Sequence, residues 1–500
     1  MRKAAWLIFV LLMGVSTNSR SSGFFGADQD GVRADVEYLV NAGVLRLSVS
    51  VWPMPIDEIH DAVAAVDATA LDPAPLAALN RLKGILDIYD TPDDDRIRAS
   101  ISVHPTRFRQ NQPIPRDDAS AGFVTGRDHG RFTAHMELAL DSQPPYSDVP
   151  VDRQMLRPDG SYVSVITGNW IWSAGFLARS WGPSQNDSVI LSANARPMPA
   201  IGLDRLSARA PDWRLLHWVG PWRFNMFLGG GNDSPRQDVK SPLFVGVRFT
   251  FKPLRELELG LTRTSQVCGR GRQCNLHTVK NWLFGNTNTG TSADITAATD
   301  PGNDEAGFDA RWATTVHHVP VAVYGQMIGE DQQGGVPFKY MGEAGVQASF
   351  NRPSGSLLHV NLEYANTMCS FSSSKPIPWC AYHHYIFDKD GYRYRGYTIG
   401  SSWEGDAEVS SLKLAWVRPD GETFTLRARH GQLHRNQYLD PYNVAAPTRR
   451  KLDGADLEWQ FVAGQWGAFR AGVGMDSLLD PATHRRTGIG RGYLMWSHRY

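Results

Sequence analysis

Between Leu243 and Phe251 the chain alternates: Leu243, Val245, Val247, Phe249 and Phe251 fall on one side of an extended backbone, and Phe244, Gly246, Arg248 and Thr250 on the other. After the joint "KPLRE", Leu257, Leu259 and Leu261 alternate with Glu258, Gly260 and Thr262. A period of two marks β-strands with one apolar and one polar face. The same alternation predicts strands near Arg96–Phe108, Arg131–Leu140, Ile171–Ala178, Trp222–Gly229, Leu243–Phe251, Leu257–Ser265, Gly307–Val316 and Val321–Ile328. It continues near Tyr340–Phe350, Leu357–Asn366, Val409–Val417, Thr423–Leu433, Leu452–Phe461, Phe469–Met475 and Gly488–Tyr500. Weaker strands near Gly122, Tyr162, Ile201 and Tyr397 bring the total into the high teens.

Ahead of the "DTPDDD" segment, Asp90 to Asp95, the period is helical. Val32, Val36, Leu39 and Val40 make one apolar stripe, Ile56, Ile59, Val63 and Val66 a second, and Leu76, Leu79, Leu82 and Leu86 a third. Gly43 and the prolines at 55, 73 and 75 supply the stops and starts. The pattern predicts a three-helix unit over residues 24–92 whose polar faces meet water, followed by a β-domain over 93–500. Residues 1–23 open with Arg2 and Lys3, then an apolar run from Ala4 to Val15. This is the pattern of a secretory signal peptide.

The joints decide what the apolar faces touch. "KPLRE", "HHVP", "NRPSGS" and "RPDGE" are short; Gln266–Glu305, Thr367–Gly396 and Leu433–Lys451 are long and rich in Gly, Asn, Pro and Ser. Short turns on one rim and long loops on the other are the pattern of a transmembrane β-barrel. Arg427 and Arg429 alternate with Phe424, Leu426 and Ala428, which suits a polar lumen behind a lipid-facing wall. A large soluble sandwich explains the alternation strand by strand but not the asymmetry of the loops.

Composition narrows the function. Lys+Arg and Asp+Glu both number 51, so the net charge is zero and a general affinity for nucleic acid has no support. Aromatics at 11% and 47 glycines favour a turn-rich β-protein. The four cysteines lie in two short loops, Cys268 with Cys274 and Cys369 with Cys380, and in an exported chain the reading is two local disulfides. A four-thiolate zinc site would need CxxC-like spacing that neither pair has. No metal and no cofactor is expected.

The segments "AGVLRLSVSVWPMPIDEI", "WGPSQNDSVILSANARPMP", "HWVGPWRF", "PGNDEAGFDARW", "VYGQMIGEDQQG" and "YHHYIFDKDGYRYRGY" resemble, in order, the Wzi-type capsule assembly proteins of the Gram-negative outer membrane. The resemblance runs from about Asp30 to Tyr500. It implies an eighteen-stranded antiparallel barrel with a periplasmic helical bundle, acting without catalysis as a lectin that attaches capsular polysaccharide to the cell surface. The implied partners are capsular polysaccharide, outer-membrane lipid and lipopolysaccharide, with a monomer favoured.

Holding a polysaccharide needs aromatic faces for sugar rings and planar cations for carboxylates. Arg270 and Arg272 sit in "CGRGRQC", with lipopolysaccharide phosphates as their alternative partner. Trp379, Tyr382, His383, His384, Tyr385, Arg393 and Arg395 fall in the densest aromatic run, where a membrane girdle is the competing role. Trp181 and Arg196 are further candidates in the segment 181–199. The alternative functions are a pore and a glycan-active enzyme using Asp304 with Glu305, or Glu330 with Asp331.

Overall fold

The computed structural model describes residues 23–89, 95–142, 154–211, 213–230, 239–285, 296, 302–333, 336–383, 392–436 and 438–500. Of the predicted signal peptide only Gly23 falls among them.

Eighteen strands among the described residues close into one antiparallel barrel. They are β1 Arg96–Val103, β2 Ala119–His129, β3 Phe132–Asp141, β4 Leu156–Arg157 interrupted and resumed at Tyr162–Thr167, β5 Trp170–Gly175 and β6 Ala200–Arg205. Then follow β7 Trp222–Gly230, β8 Leu243–Phe251, β9 Leu257–Val267, β10 Gly302–Val316, β11 Val319–Gln333 and β12 Val336–Asn351. The circuit ends with β13 Leu357–Asn366, β14 Glu408–Val417, β15 Thr423–Leu433, β16 Arg450–Val462, β17 Ala468–Leu479 and β18 Arg486–Arg499. Each strand pairs with its sequence neighbours, and β18 meets β1 with Arg499 opposite Arg96. Closure leaves no edge whose backbone groups would need water, the condition for strands to cross a bilayer.

The weak strands predicted near Gly122, Tyr162 and Ile201 all belong to the wall. That near Tyr397 does not: Tyr397–Thr398 pairs only with Arg393–Tyr394 in a two-residue ladder apart from the barrel. A run that short has too few positions for alternation to separate a wall strand from a loop ladder.

The faces are distributed as an inside-out protein. Ile101, Leu140, Ile201, Leu261, Leu457 and Val473 point outward and are exposed, while Arg223 and Arg248 point inward with no exposed surface. Inward arginines pair with carboxylates: Arg248 grips Asp309 at 2.6 Å, and Arg427 reaches Glu458 at 3.3 Å. In β8 the inward position 246 is glycine, because a side chain there would collide with Phe227 and Trp181.

The rims differ as the joints foretold. The connections 130–131, 168–169, 252–256, 317–318, 352–356, 418–422 and 463–467 share one rim with the longer 206–221, whereas 104–118, 176–199, 268–301, 367–407 and 434–449 leave the other together with the short 480–485.

Among the described residues three α-helices precede β1: α1 Asp30–Asn41, α2 Ile56–Ala64 and α3 Pro73–Tyr89. Gly43, at φ +74°, turns the chain after α1, and Asp57 and Glu58 lie in the first turn of α2. Their apolar stripes form a common core with Leu45, Leu47 and Val49. The expectation that the polar faces meet water fails for α1, where Arg33, Asp35, Glu37 and Asn41 are buried. The reason is the barrel: Asp30 pairs with Arg470 at 2.8 Å, Tyr38 donates to Asn351 at 2.7 Å and Asn41 to Gln347 at 3.2 Å. A polar lumen takes the place of solvent, so α1 closes the short-turn end from within.

Segment 176–199 descends from the opposite rim to meet it. Gly182 donates its N–H to the Ser50 carbonyl, and Ser180 and Trp181 pair with Trp52 and Val51. Farther along, Asn186 donates to Asn361 at 3.1 Å and Ser188 to Gln326 at 3.0 Å. Lumen-facing strand residues thus supply the partners that the plug's backbone and amides require.

Candidate functional site

At the long-loop rim, two connections converge. A hydrogen bond from the Trp379 backbone N–H to Asp406 at 2.8 Å, and one from the Asn436 amide to the same carboxylate, tie 367–407 to 434–449. The tie places three rings together. Trp379 stacks on His383 with centroids 4.9 Å apart and planes 18° apart, and Tyr438 stands edge-on to Trp379 at 6.0 Å and 89°. His383 Nε2 lies 3.6 Å from Asp440. Burial would raise the Asp440 carboxyl, but the His383 contact and the Arg393 charge hold it below its ordinary value. Trp379 is 38% exposed and Tyr438 55%, with Leu439 exposed beside them. The result is an aromatic surface of Trp379 and Tyr438 open to solvent, backed by the His383 ring and the buried Asp440 carboxylate, which can stack a sugar ring.

The candidates from the sequence separate into two groups. Trp379 belongs to the open surface, and His383, 13% exposed, backs its ring. Tyr382, one residue from His383, is buried instead: its hydroxyl donates to the Val189 carbonyl at 2.7 Å, and its ring stacks on Tyr392 at 5.9 Å. Arg393 is buried against Glu404 at 2.6 Å. Trp181 is buried edge-on to Phe227 at 5.3 Å. Arg196 is buried among Asp117 at 2.7 Å, Asp141 at 2.9 Å and Asp159 at 2.7 Å. These four hold the loops in the lumen rather than present themselves to a ligand, because a plug built from irregular chain needs side chains to satisfy its buried polar groups. Burial pushes the Asp117 carboxyl up to about 6, and Asp141 beside it adds to the effect. The surrounding carboxylates more than offset burial at Arg196 and raise it above its ordinary value.

Arg395 is half-buried and donates to the Tyr394 hydroxyl at 3.2 Å and to Gln154. Arg270 is exposed and Arg272 half-buried, in a loop closed by the Cys268–Cys274 disulfide. The second disulfide joins Cys369 and Cys380, adjacent to Trp379. His384 and Tyr385 lie outside the described residues. The carboxylates considered for catalysis split across the wall: Asp304 faces out to Arg263 at 2.8 Å, Glu305 is buried on the lumen side next to Glu330, and the side chain of Asp331 lies outside the described residues. Tyr438 and Asp440 were missed in the sequence. Their signal was the "NQYLDPYN" run inside a long loop, whose approach to Trp379 depends on Asp406 and is invisible in one dimension.

Comparison with known proteins places this geometry. The model of the family "Capsule assembly protein Wzi" matches residues 97–477. An "uncharacterized 55.8 kDa protein in cps region" of Klebsiella pneumoniae is 28% identical over 455 residues, covering 90% of this chain and 84% of the relative. The solved structure of Wzi, described as an outer-membrane protein involved in group 1 capsule assembly in Escherichia coli and a carbohydrate-binding β-barrel, superposes with a TM-score of 0.82 at 24% identity. That superposition covers 96% of this chain and 99% of that one. With a family match over most of its length and a closed eighteen-stranded wall, the chain belongs to the Wzi family of capsule assembly proteins and is an outer-membrane β-barrel.

Proposed function

We propose that this protein is a non-enzymatic lectin of the outer membrane that binds capsular or exopolysaccharide at its long-loop rim and attaches it to the cell surface during capsule assembly. The observation that carries the reading is the open surface of Trp379 and Tyr438, backed by His383 and held by Asp406 where the long loops meet. The description of the Escherichia coli relative as carbohydrate-binding supports the same assignment. Exposed aromatic rings suit the apolar faces of sugars. In this reading the short-turn rim, with its helices, faces the periplasm, and the protein works as a monomer in contact with lipid and lipopolysaccharide.

The test is capsule retention. Cells lacking the protein should release capsular polysaccharide into the medium while synthesising normal amounts, and the intact gene should restore attachment. Normal retention in the deletion would refute the proposal, and shortening of capsule chains by the purified protein would replace the lectin with an enzyme.

A further inference from the structure

Helix α4, Leu276–Leu283, follows directly from the Cys268–Cys274 loop and is capped by Asn275 and Thr278. It does not cover the mouth. Trp282 donates from its ring nitrogen to Ser265 at 2.6 Å, and the Arg263 guanidinium lies 5.1 Å over that ring while pairing with Asp304 at 2.8 Å. Arg263, Ser265 and Asp304 occupy the outward face of β9 and β10. Trp282 also packs against the cluster of Val245, Val267 and Cys268, which Met226, Leu243 and Val247, outward positions of β7 and β8, join as well. Val245 is only 7% exposed although it belongs to the lipid-facing row. The helix therefore lies across the outer wall, near the long-loop rim.

Its own polarity is inverted relative to a helix on a water-soluble protein. Thr278 and Asn281 are turned in and buried, whereas Leu276 (87%), Val279, Leu283 and Phe284 form an exposed stripe. Leu276, Val279 and Leu283 share one face by the spacing of three and seven. Two exposed cations, Arg270 and Lys280, stand beside it.

We infer that α4 is a docking surface for lipid A of the outer leaflet, its stripe lying along acyl chains and Arg270 and Lys280 meeting the phosphates. Two observations select this occupant. The stripe continues the lipid-facing wall on which α4 rests, and an apolar face beside cations is the arrangement by which an in-plane helix holds an anionic lipid. The inference depends on the seat of the barrel in the outer membrane and is independent of glycan recognition.

The experiment is native mass spectrometry of the full-length mature protein in detergent, titrated with hexa-acylated lipid A and, separately, with phosphatidylglycerol. Two double variants accompany it, Leu276→Ser with Leu283→Ser and Arg270→Ala with Lys280→Ala; all four positions are exposed, and heat-modifiable gel mobility verifies folding. Saturable lipid A binding is expected for the parent, weaker by about tenfold in each double variant, as loss of one or two kcal/mol-scale contacts implies. Binding of capsular polysaccharide should stay unchanged in the leucine variant, so failure here and failure of the lectin reading are distinguishable. Equal lipid A binding by parent and variants would overturn the inference. So would equal binding of phosphatidylglycerol, or a parent dimer that the leucine variant dissolves, which would identify a second copy as the occupant.

Discussion

Gly182 donates its backbone N–H to the Ser50 carbonyl at 2.9 Å, and at that bond the two halves of the plug meet. One partner comes from the N-terminal segment and the other from the connection between β5 and β6, so the lumen is occupied from both rims. Purified protein in planar bilayers should therefore show no steady unitary conductance. Stable ohmic steps of porin size would contradict a filled barrel.

The Arg248–Asp309 pair is buried on both sides. Removing one member leaves an uncompensated charge in the wall, a loss of about 3–5 kcal/mol. Asp309→Ala should lower the temperature at which the barrel loses its compact gel mobility, and Asp309→Asn, which keeps an acceptor for Arg248, should lower it less. Equal midpoints for parent and both variants would show that the pair contributes nothing.

Arg196 pairs with all three of Asp117, Asp141 and Asp159, while Arg157 lies 3.6 Å from Asp141 alone. Arg196→Met retains the volume but leaves carboxylates facing each other, so the anchored end of segment 176–199 should loosen. Limited proteolysis should then cleave within 104–118 or 176–199 faster than in the parent, with the strands still intact. An unchanged cleavage rate would remove Arg196 as the anchor.

Asp187 accepts hydrogen bonds from Ser188, Ser401 and Ser402, yet burial pushes its carboxyl up to about 7. An unfolded aspartate titrates near ~3.9, so from about pH 4 to 7 the folded state binds the extra proton and stability falls as pH rises. The loss levels off above the folded value. The melting midpoint of the parent should decline from pH 5 to pH 8, and Asp187→Asn should flatten that decline. A midpoint that rises over this interval would give the opposite sign.

Alternation exposed the wall because side chains facing hydrocarbon are apolar while lumen-facing ones can be polar, a constraint repeated along the whole of β8. The plug obeys no such period. Trp181, Tyr382 and Arg393 read as loop residues fit to meet sugar because an aromatic or arginine in a loop has the same signature whether it faces solvent or a buried carbonyl. Only the path of the chain back into the lumen distinguishes Tyr382 from Trp379, three residues away. The helices were legible in position, yet the burial of Glu37 was not, since the polar lumen that receives it is assembled from strands more than two hundred residues distant. Tyr438 escaped for a related reason: it joins Trp379 through Asp406, a contact between loops.

The most direct measurement is calorimetric titration of capsular polysaccharide fragments into the purified barrel in detergent, with Trp379→Ala/Tyr438→Ala beside the parent. The parent should bind saturably, and the double variant should bind about tenfold to a hundredfold more weakly, as loss of two stacking rings implies, with an unchanged melting midpoint. Equal affinity of parent and variant, or no saturable binding by the parent, would contradict a glycan site at this rim.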